Sequence, residues 1–346
     1  MKTFLVSRTD AIGDVVLTLP VCGQLKKLFP GCRVVLLGRT YTQAIAAACP
    51  WVDDFINVDE LRKLTLPAQV QALRQQQADA LLHIFPDKHL AYLGLQARIP
   101  MRIGTRNRWF HWLTCTHRVA LSRRHSPLHE AQLNLELLRP LGYSGPLSLS
   151  AVGELVRLVP AEPLAHQWHN LLAQRQPGQL NVILHPRSRG SAREWGLVNF
   201  GTLARMLHKA GHRVFITGTA AEGEELRPWL TDHAPFLAGD MTGQLTLPQL
   251  LTFIGAADGL VANSTGPLHM AAALGRQALG LYPPIRPMHP GRWAPLGRHA
   301  EYLVFEKPDC QQCRQEPAAC SCLAGIEPVE VFSRVAAWKS LPPAGF

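Results

Sequence analysis

Asn263-Ser264-Thr265-Gly266-Pro267-Leu268-His269, followed by the small apolar run Met270 to Leu274, reads as the turn between a strand and a helix. Upstream, Leu250 to Ala262 is a helix-like segment leading into a short strand, Gly259 to Ala262. Pro267 suits the first turn of a new helix, where its missing N–H costs nothing. A strand, a Thr-Gly turn and a helix start bring free backbone N–H groups and the positive helix end into one crevice, which suits a phosphate or diphosphate. An ordinary strand-to-helix turn of an α/β protein would read the same way. The meaning of the heptad therefore depends on the chain around it.

That chain alternates. Phe4-Leu5-Val6 is a strand, Asp14 to Phe29 a helix ending near Pro30-Gly31, and Arg33 to Leu37 a second strand. Tyr41 to Ala48 is helical, Phe55 to Val58 a strand, Pro67 to Gln76 a helix and Ala80 to Ile84 a strand. Leu128 to Leu141 is an amphipathic helix stopped by Gly142, and the polar stretch from Gly142 to Pro163 reads as a linker. The pattern then restarts, with strands at Asn181–Leu184, His212–Thr217, Gly259–Ala262 and Ala278–Tyr282, and helices at Phe200–Ala210, Glu222–Leu230, Leu247–Ala257 and Pro267–Leu274. Such β-α repetition predicts parallel sheets with helices on both faces. The expected fold class is α/β: two Rossmann-like doubly wound domains facing a central cleft at the carboxyl ends of both sheets. Their expected spans are 1–155 and 156–326. The remainder, 327–346, carries an amphipathic helix, Glu327 to Leu341, that is expected to pack back on the first domain.

At 346 residues, 47% of them hydrophobic, the chain can bury two cores. No uninterrupted apolar run reaches the roughly 18–20 residues of a membrane span. The segment Met1 to Arg8 lacks the apolar stretch and cleavage site of a signal peptide, so a cytosolic protein is expected. The net charge of +10 implies acidic partners: nucleic acid, anionic lipid or a phosphorylated substrate. Much of it lies in Arg98, Arg102, Arg106, Arg108, Arg118, Arg123 and Arg124, interleaved with Trp109, Phe110 and Trp112. A solvated face would explain this cluster too. No zinc-finger, RNP-like or basic-zipper pattern accompanies it, so nucleic acid is not the expected partner. Of the eight cysteines, Cys22, Cys32, Cys49 and Cys115 are scattered among apolar neighbours and read as buried small hydrophobes. Cys310, Cys313, Cys320 and Cys322 cluster with partial metal-ligand character; a structural metal and reduced structural thiols are both open readings.

Several landmarks then line up. Ser7 to Asp14 with Thr18-Leu19-Pro20 resembles the N-terminal "GD…TLP" loop of the ADP-heptose:lipopolysaccharide heptosyltransferases, glycosyltransferase family 9. His129-Glu130 with Asn134 resembles that family's His-Glu pair, Arg193-Glu194-Trp195 its basic-x-Trp segment, Gly218 to Glu222 its Gly-rich strand end, and Thr265-Gly266-Pro267-Leu268-His269 its (S/T)-G-x-x-H turn. Each motif is weak alone; five in order across the whole chain are specific. Two positions depart: Ser264 stands where the family usually has Asp, and Arg193 where it has Lys. Arg193 keeps the charge and adds a planar fork suited to diphosphate oxygens.

The resemblance implies a GT-B enzyme that moves heptose, with inversion, from ADP-heptose to a phosphorylated lipopolysaccharide inner-core acceptor. The first domain would bind the acceptor and the second, with a Cys-rich loop at 308–324, the nucleotide-sugar. Such transfer needs a base for the acceptor hydroxyl and an electrostatic site for the departing diphosphate. Asp14, just after Gly13 at a loop-to-helix junction, is favoured as base, although Asp is also a common helix cap; Asp10 is its rival and otherwise an acceptor ligand. Arg187, Arg193, Ser264, Thr265, Gly266 and His269 are expected around the donor diphosphate, and Glu222 at the ribose hydroxyls. Glu222 could equally be a first-turn helix residue, Arg187 part of a solvated loop, and His269 a core histidine. Arg106, Arg108, Arg123 and Arg124 are expected to meet acceptor phosphates or the inner face of an anionic inner membrane. No Asp-x-Asp motif occupies a suitable loop, so no cofactor is expected for catalysis. Transfer to a protein or another glycan, and a non-catalytic nucleotide-binding module, are the competing functions.

Overall fold

Each run of alternating segments closes into one six-stranded sheet in which every pairing is parallel. The computed structural model describes residues 1–123, 126–160, 162–285, 288–305 and 321–343. It divides into two units, Met1–Leu158 and Val159–Phe346. In the first unit the strands are β1 (Thr3–Ser7), β2 (Arg33–Gly38), β3 (Asp54–Asn57), β4 (Ala80–His83), β5 (Met101–Thr105) and β6 (His117–Val119). In the second they are β7 (Asn181–His185), β8 (Arg213–Ile216), β9 (Gly239–Asp240), β10 (Gly259–Asn263), β11 (Gln277–Tyr282) and β12 (Ala300–Val304). The orders are β3-β2-β1-β4-β5-β6 and β12-β11-β10-β7-β8-β9. Both are the doubly wound order, which reverses direction between β1 and β4 and between β7 and β10. The connections diverge at those switch points, leaving a crevice beyond the carboxyl ends of the strands.

The central strands are buried on both faces, which is why β1, β7 and β10 read as apolar runs rather than as alternating patterns. Helix packing supplies the cover. Leu73, Leu90 and Leu93 close over Leu5, Val35 and Leu37 in the first unit. Phe200, Leu203 and Leu207 close over Val182, Leu184, Val214 and Val261 in the second.

Four expectations need correction. The helix expected from Asp14 to Phe29 is two helices, Ile12–Val16 and Leu19–Leu28. Pro20 has no N–H for an i−4 bond, so the chain restarts there with Pro in the first turn. Leu128 to Leu141 likewise forms an α-helix only over Glu130–Leu135 and continues as 3₁₀ through Pro140. The Gly142 to Pro163 stretch is not merely a linker, because it holds the helix Leu149–Gly153 and buries Val152, Leu155 and Leu158. The C-terminal helix, Pro328–Ala336, expected against the first domain, packs within the second unit: Val331, Val335 and Trp338 join the cluster around Phe200 and Leu203. Its apolar i, i+4 stripe meets the apolar face of Leu197–Lys209, and Gly259 leaves the space that the Trp338 ring fills. The basic stretch also supplies β5, the helix Trp109–Thr114 and β6.

Candidate active site

In the first unit the chemistry collects just beyond β1, at the switch point. Arg8 follows β1 directly and is buried, with its N–H bonded to Leu37 O across the sheet (3.0 Å). Its guanidinium then serves three carboxylates. Nε donates to Asp10 Oδ1 (2.6 Å), Nη2 to Asp14 Oδ1, and Nη1 to Glu130 Oε1 (3.4 Å) and Asn134 Oδ1 (3.4 Å). Arg123 reaches the same pair from the other side, donating to Glu130 Oε1 (2.9 Å), Asn134 Oδ1 (3.1 Å) and Ile84 O (3.0 Å). Asn134 returns its amide to Leu17 O (3.1 Å), which ties the helix Glu130–Leu135 to the break between the first two helices. That helix is started by His129, whose Nδ1 accepts from Ala131 N–H (3.2 Å) while Gln132 Oε1 accepts from His129 N–H (2.9 Å).

The balance of charge sets the proton affinities. Among the described residues two guanidiniums face three carboxylates, and all of them are at least half removed from water. Burial, helped by the charges of Asp10 and Glu130, outweighs the pull of Arg8 and raises the Asp14 carboxyl to about 6. Asp10 is raised as well, by burial, against the pull of Arg8. Burial works to lower Arg8, but its three carboxylates outweigh that and raise it, so it stays cationic. His83, at the end of β4, is fully buried, and its pKa falls to about 3, so it adds no charge nearby. A carboxylate half-ionised near pH 6 is a competent proton acceptor at neutral pH. Asp14 lies in the first turn of its helix, but the cap position belongs to Ala11, so helix capping does not account for its carboxylate.

In the second unit the end of β10 and the helix start that follows it sit at the other switch point. Asn263 ends β10, and its amide is a two-way fastener. Oδ1 accepts from Trp195 N–H (2.9 Å), and Nδ2 donates to Pro186 O (2.9 Å). Trp195 is anchored in turn by its indole N–H on Ile326 O (2.8 Å) and by an edge-on contact with Phe200. The loop after β7 and the turn after β10 are thus held together. The helix Gly266–Ala273 starts at Thr265 in extended conformation with no side-chain cap, and Pro267 contributes no N–H. Thr265 is buried, and its Oγ1 has no hydrogen-bond partner among the described residues. Half-buried Arg193, two residues before the pinned Trp195, likewise has Nε without a partner. An uncapped helix start, an unused hydroxyl and an unused guanidinium N–H are what a phosphate oxygen would satisfy.

Other expected residues are placed as follows. Arg187 is engaged by Glu194 (3.0 Å) and approached by Glu225 (3.6 Å), so part of its fork is already used. Glu222 closes a capping box, its Oε2 accepting from Thr219 N–H (2.7 Å) and Oγ1–H (2.9 Å); the helix-start role is the one observed. Ser264 is half-buried near the buried Tyr282 hydroxyl, which donates to Trp293 O (2.6 Å). His269 is buried inside its helix. Arg106 and Arg108 are exposed, while Arg123 gives Nε and Nη2 to Glu130, Asn134 and Ile84 O. Arg124, Cys310, Cys313 and Cys320 lie outside the described residues, and Cys322 is buried. Among the described residues no group of three or more His, Cys, Asp or Glu side chains could hold a metal ion. Sequence reasoning did not assign roles to Arg8 or Asn263, and took Glu130 and Asn134 only as landmarks. The available signal was an arginine directly after a strand, with two aspartates within six residues of it.

The chain is similar to known proteins over most of its length. The model of "Glycosyltransferase family 9 (heptosyltransferase)" matches residues 68–324. A Haemophilus influenzae protein with only the general designation of a glycosyltransferase is 25% identical over 344 residues, covering 96% of this chain and 97% of that protein. The lipopolysaccharide core heptosyltransferase OpsX of the same organism is 23% identical over 297 residues, covering 81% of this chain and 79% of its own length. Among solved structures, the E. coli ADP-heptose lps heptosyltransferase II superposes with a TM-score of 0.74 at 20% identity, covering 97% of this chain and 98% of that one. The two parallel sheets are therefore those of the GT-B fold. With its motifs held at the switch points of both sheets, the chain belongs to glycosyltransferase family 9, the heptosyltransferases.

Proposed function

We propose that this glycosyltransferase moves a heptose from an ADP-sugar to a phosphorylated lipopolysaccharide inner-core acceptor, inverting the anomeric centre. The observation that supports it most is the unsatisfied anion site of the second unit: Thr265 Oγ1, the uncapped helix start at Gly266 and Arg193 Nε. These groups would hold the donor diphosphate and take up its charge as it leaves. Asp14 would accept the proton of the acceptor hydroxyl while that oxygen bonds to the anomeric carbon and the bond to the diphosphate oxygen breaks. Arg8 and Glu130 would position Asp14 and set its proton affinity. Ser264 brings no carboxylate to the turn, so donor binding in this chain would rest on hydrogen bonds and the arginine rather than on the family's usual Asp. Exposed Arg106 and Arg108 would meet acceptor phosphates. An acceptor that is itself a lipid would bring that basic segment to an anionic membrane surface; among the described residues, no helix is long and apolar enough to cross one.

The test is mass-spectrometric detection of product from purified protein, ADP-heptose and a panel of truncated core acceptors. A heptose mass added only to phosphorylated core acceptors is the expected result. Addition to a protein or an unphosphorylated glycan would move the acceptor assignment, and ADP binding without any transfer would overturn it.

A further inference from the structure

We infer that the helix Trp109–Thr114 is an interfacial anchor that seats this protein on an anionic lipid bilayer. The six residues divide into two faces. Phe110, His111 and Thr114 are buried against β5, where Gly104 makes the approach so close that a Cβ there would come within 2.6 Å of His111 Nδ1. Thr105 N–H donates to the same nitrogen (3.0 Å), so the helix is fastened from beneath. Trp109, Trp112 and Leu113, at i, i+3 and i+4, form the opposite face and are 62%, 57% and 64% exposed. A helix whose outer face is apolar, beside a buried inner face, has its amphipathicity spent on something other than its own core.

The surrounding charge identifies the occupant. Lys88 Nζ lies over the Trp109 ring (4.9 Å) and the Arg118 guanidinium over the Trp112 ring (4.7 Å). Exposed Arg106 and Arg108 precede the helix, and Trp112 Nε1–H is bonded to Arg106 O (3.0 Å). From Lys88 to His129 the sequence has eight Lys or Arg and no Asp or Glu. Tryptophans favour the headgroup level, where the ring is buried and the N–H stays wet, and nearby cations are drawn to anionic headgroups. Apolar rings flanked by cations, with no acid in the segment, fit an anionic phospholipid surface. The inference deepens the proposed acceptor, since a lipid-linked sugar would be met at that surface, and it rests on that reading only for its purpose.

The test uses the full chain and vesicles free of acceptor, made of phosphatidylcholine alone or mixed with phosphatidylglycerol. Co-sedimentation should favour the mixed vesicles by roughly ten-fold or more and weaken with salt. Brominated acyl chains should quench part of the tryptophan emission. Combined Trp109→Ser, Trp112→Ser and Leu113→Ser should lower partitioning by about ten-fold or more, abolish the quenching, and leave the melting temperature and turnover on a delipidated acceptor as in the wild type. Lys88→Gln and Arg118→Gln should each cost about five-fold in partitioning. Equal affinity of wild type for neutral and mixed vesicles, absence of quenching, or a folded triple variant that binds as wild type would overturn the inference. So would preferential binding of a single-stranded oligonucleotide that the triple variant loses, since stacked aromatics and cations also serve nucleic acid. If the acceptor assignment alone is wrong, transfer fails while vesicle binding and its loss in the variant persist.

Discussion

Replacing Asp14 by Asn should separate catalysis from stability in opposite directions. In the folded chain burial and two neighbouring carboxylates raise the Asp14 carboxyl from its ordinary 3.8 to about 6, even with Arg8 pulling the other way. The ionised form is thus disfavoured in the native state by on the order of 3 kcal/mol relative to water. Because the folded pKa lies above the unfolded one, the native state binds more protons between about pH 4 and 6. Stability on account of this group therefore falls as pH rises through that window and stays lower above it. Asn removes the charge while Asp10 and Glu130 still neutralise Arg8. At pH 8 the variant should melt no lower than wild type. Turnover, by contrast, should fall by about 10²–10⁴-fold, the usual worth of a general base.

The pH profile supplies the independent reading. For wild type, kcat/KM should rise with pH to half its plateau near pH 6 and be about ten-fold below the plateau at pH 5, while donor affinity stays level. The residual activity of Asp14→Asn should lack that limb. Initial rates from coupled detection of ADP, donor titrations and thermal melts at pH 5 and 8 measure all three quantities. Activity within a few-fold of wild type, or an acid limb near pH 6 that survives the substitution, would refute Asp14 as base and turn attention to Asp10. A variant that melts well below wild type at pH 8 would refute the charge argument itself.

Arg193→Ala should weaken ADP and ADP-sugar by about 10–100-fold and adenosine hardly at all, as expected for a charge-assisted contact to phosphate; calorimetry showing equal losses would place the arginine elsewhere. Asn263→Ala removes the acceptor for Trp195 N–H and the donor for Pro186 O, both buried; a stability loss of about 1–3 kcal/mol in denaturant melts, with weaker ADP binding, is expected. Arg106→Gln with Arg108→Gln should raise the acceptor KM and flatten its salt dependence without changing donor affinity, and a KM indifferent to both would leave these residues a solvated face.

The heptad at Asn263, the β-α alternation and the carboxyl-edge loops were legible in the sequence because they are local. A β-strand and a helix write their own periods, and a Pro-bearing helix start writes its own turn. The helix break at Pro20 is local too, since a proline lacks the N–H of an i−4 bond. Other features arose only when strand order brought distant residues together. Arg8 gathers Glu130 from 122 residues away, because β1 lies beside β4 and the helix Glu130–Leu135 returns over the same edge. Asn263 could be read as the end of a strand, but its hold on Trp195 and Pro186 exists only because β10 lies beside β7. The same holds for the C-terminal helix, whose Val331 and Val335 stripe is local but whose place beside Phe200 and Leu203, with Trp338 over Gly259, exists only in the folded second unit. Likewise, 98–124 shows arginines and tryptophans in sequence; only packing on β5 decides that Phe110 and His111 turn inward while Trp109, Trp112 and Leu113 face out. Sequence alone determined the β-α succession and the strand-to-helix turn at Asn263, since backbone hydrogen bonding and side-chain period act over a few residues. The tertiary structure decided which charges face each other, since electrostatic pairing and burial depend on proximity in space, which the order of strands in the sheet creates.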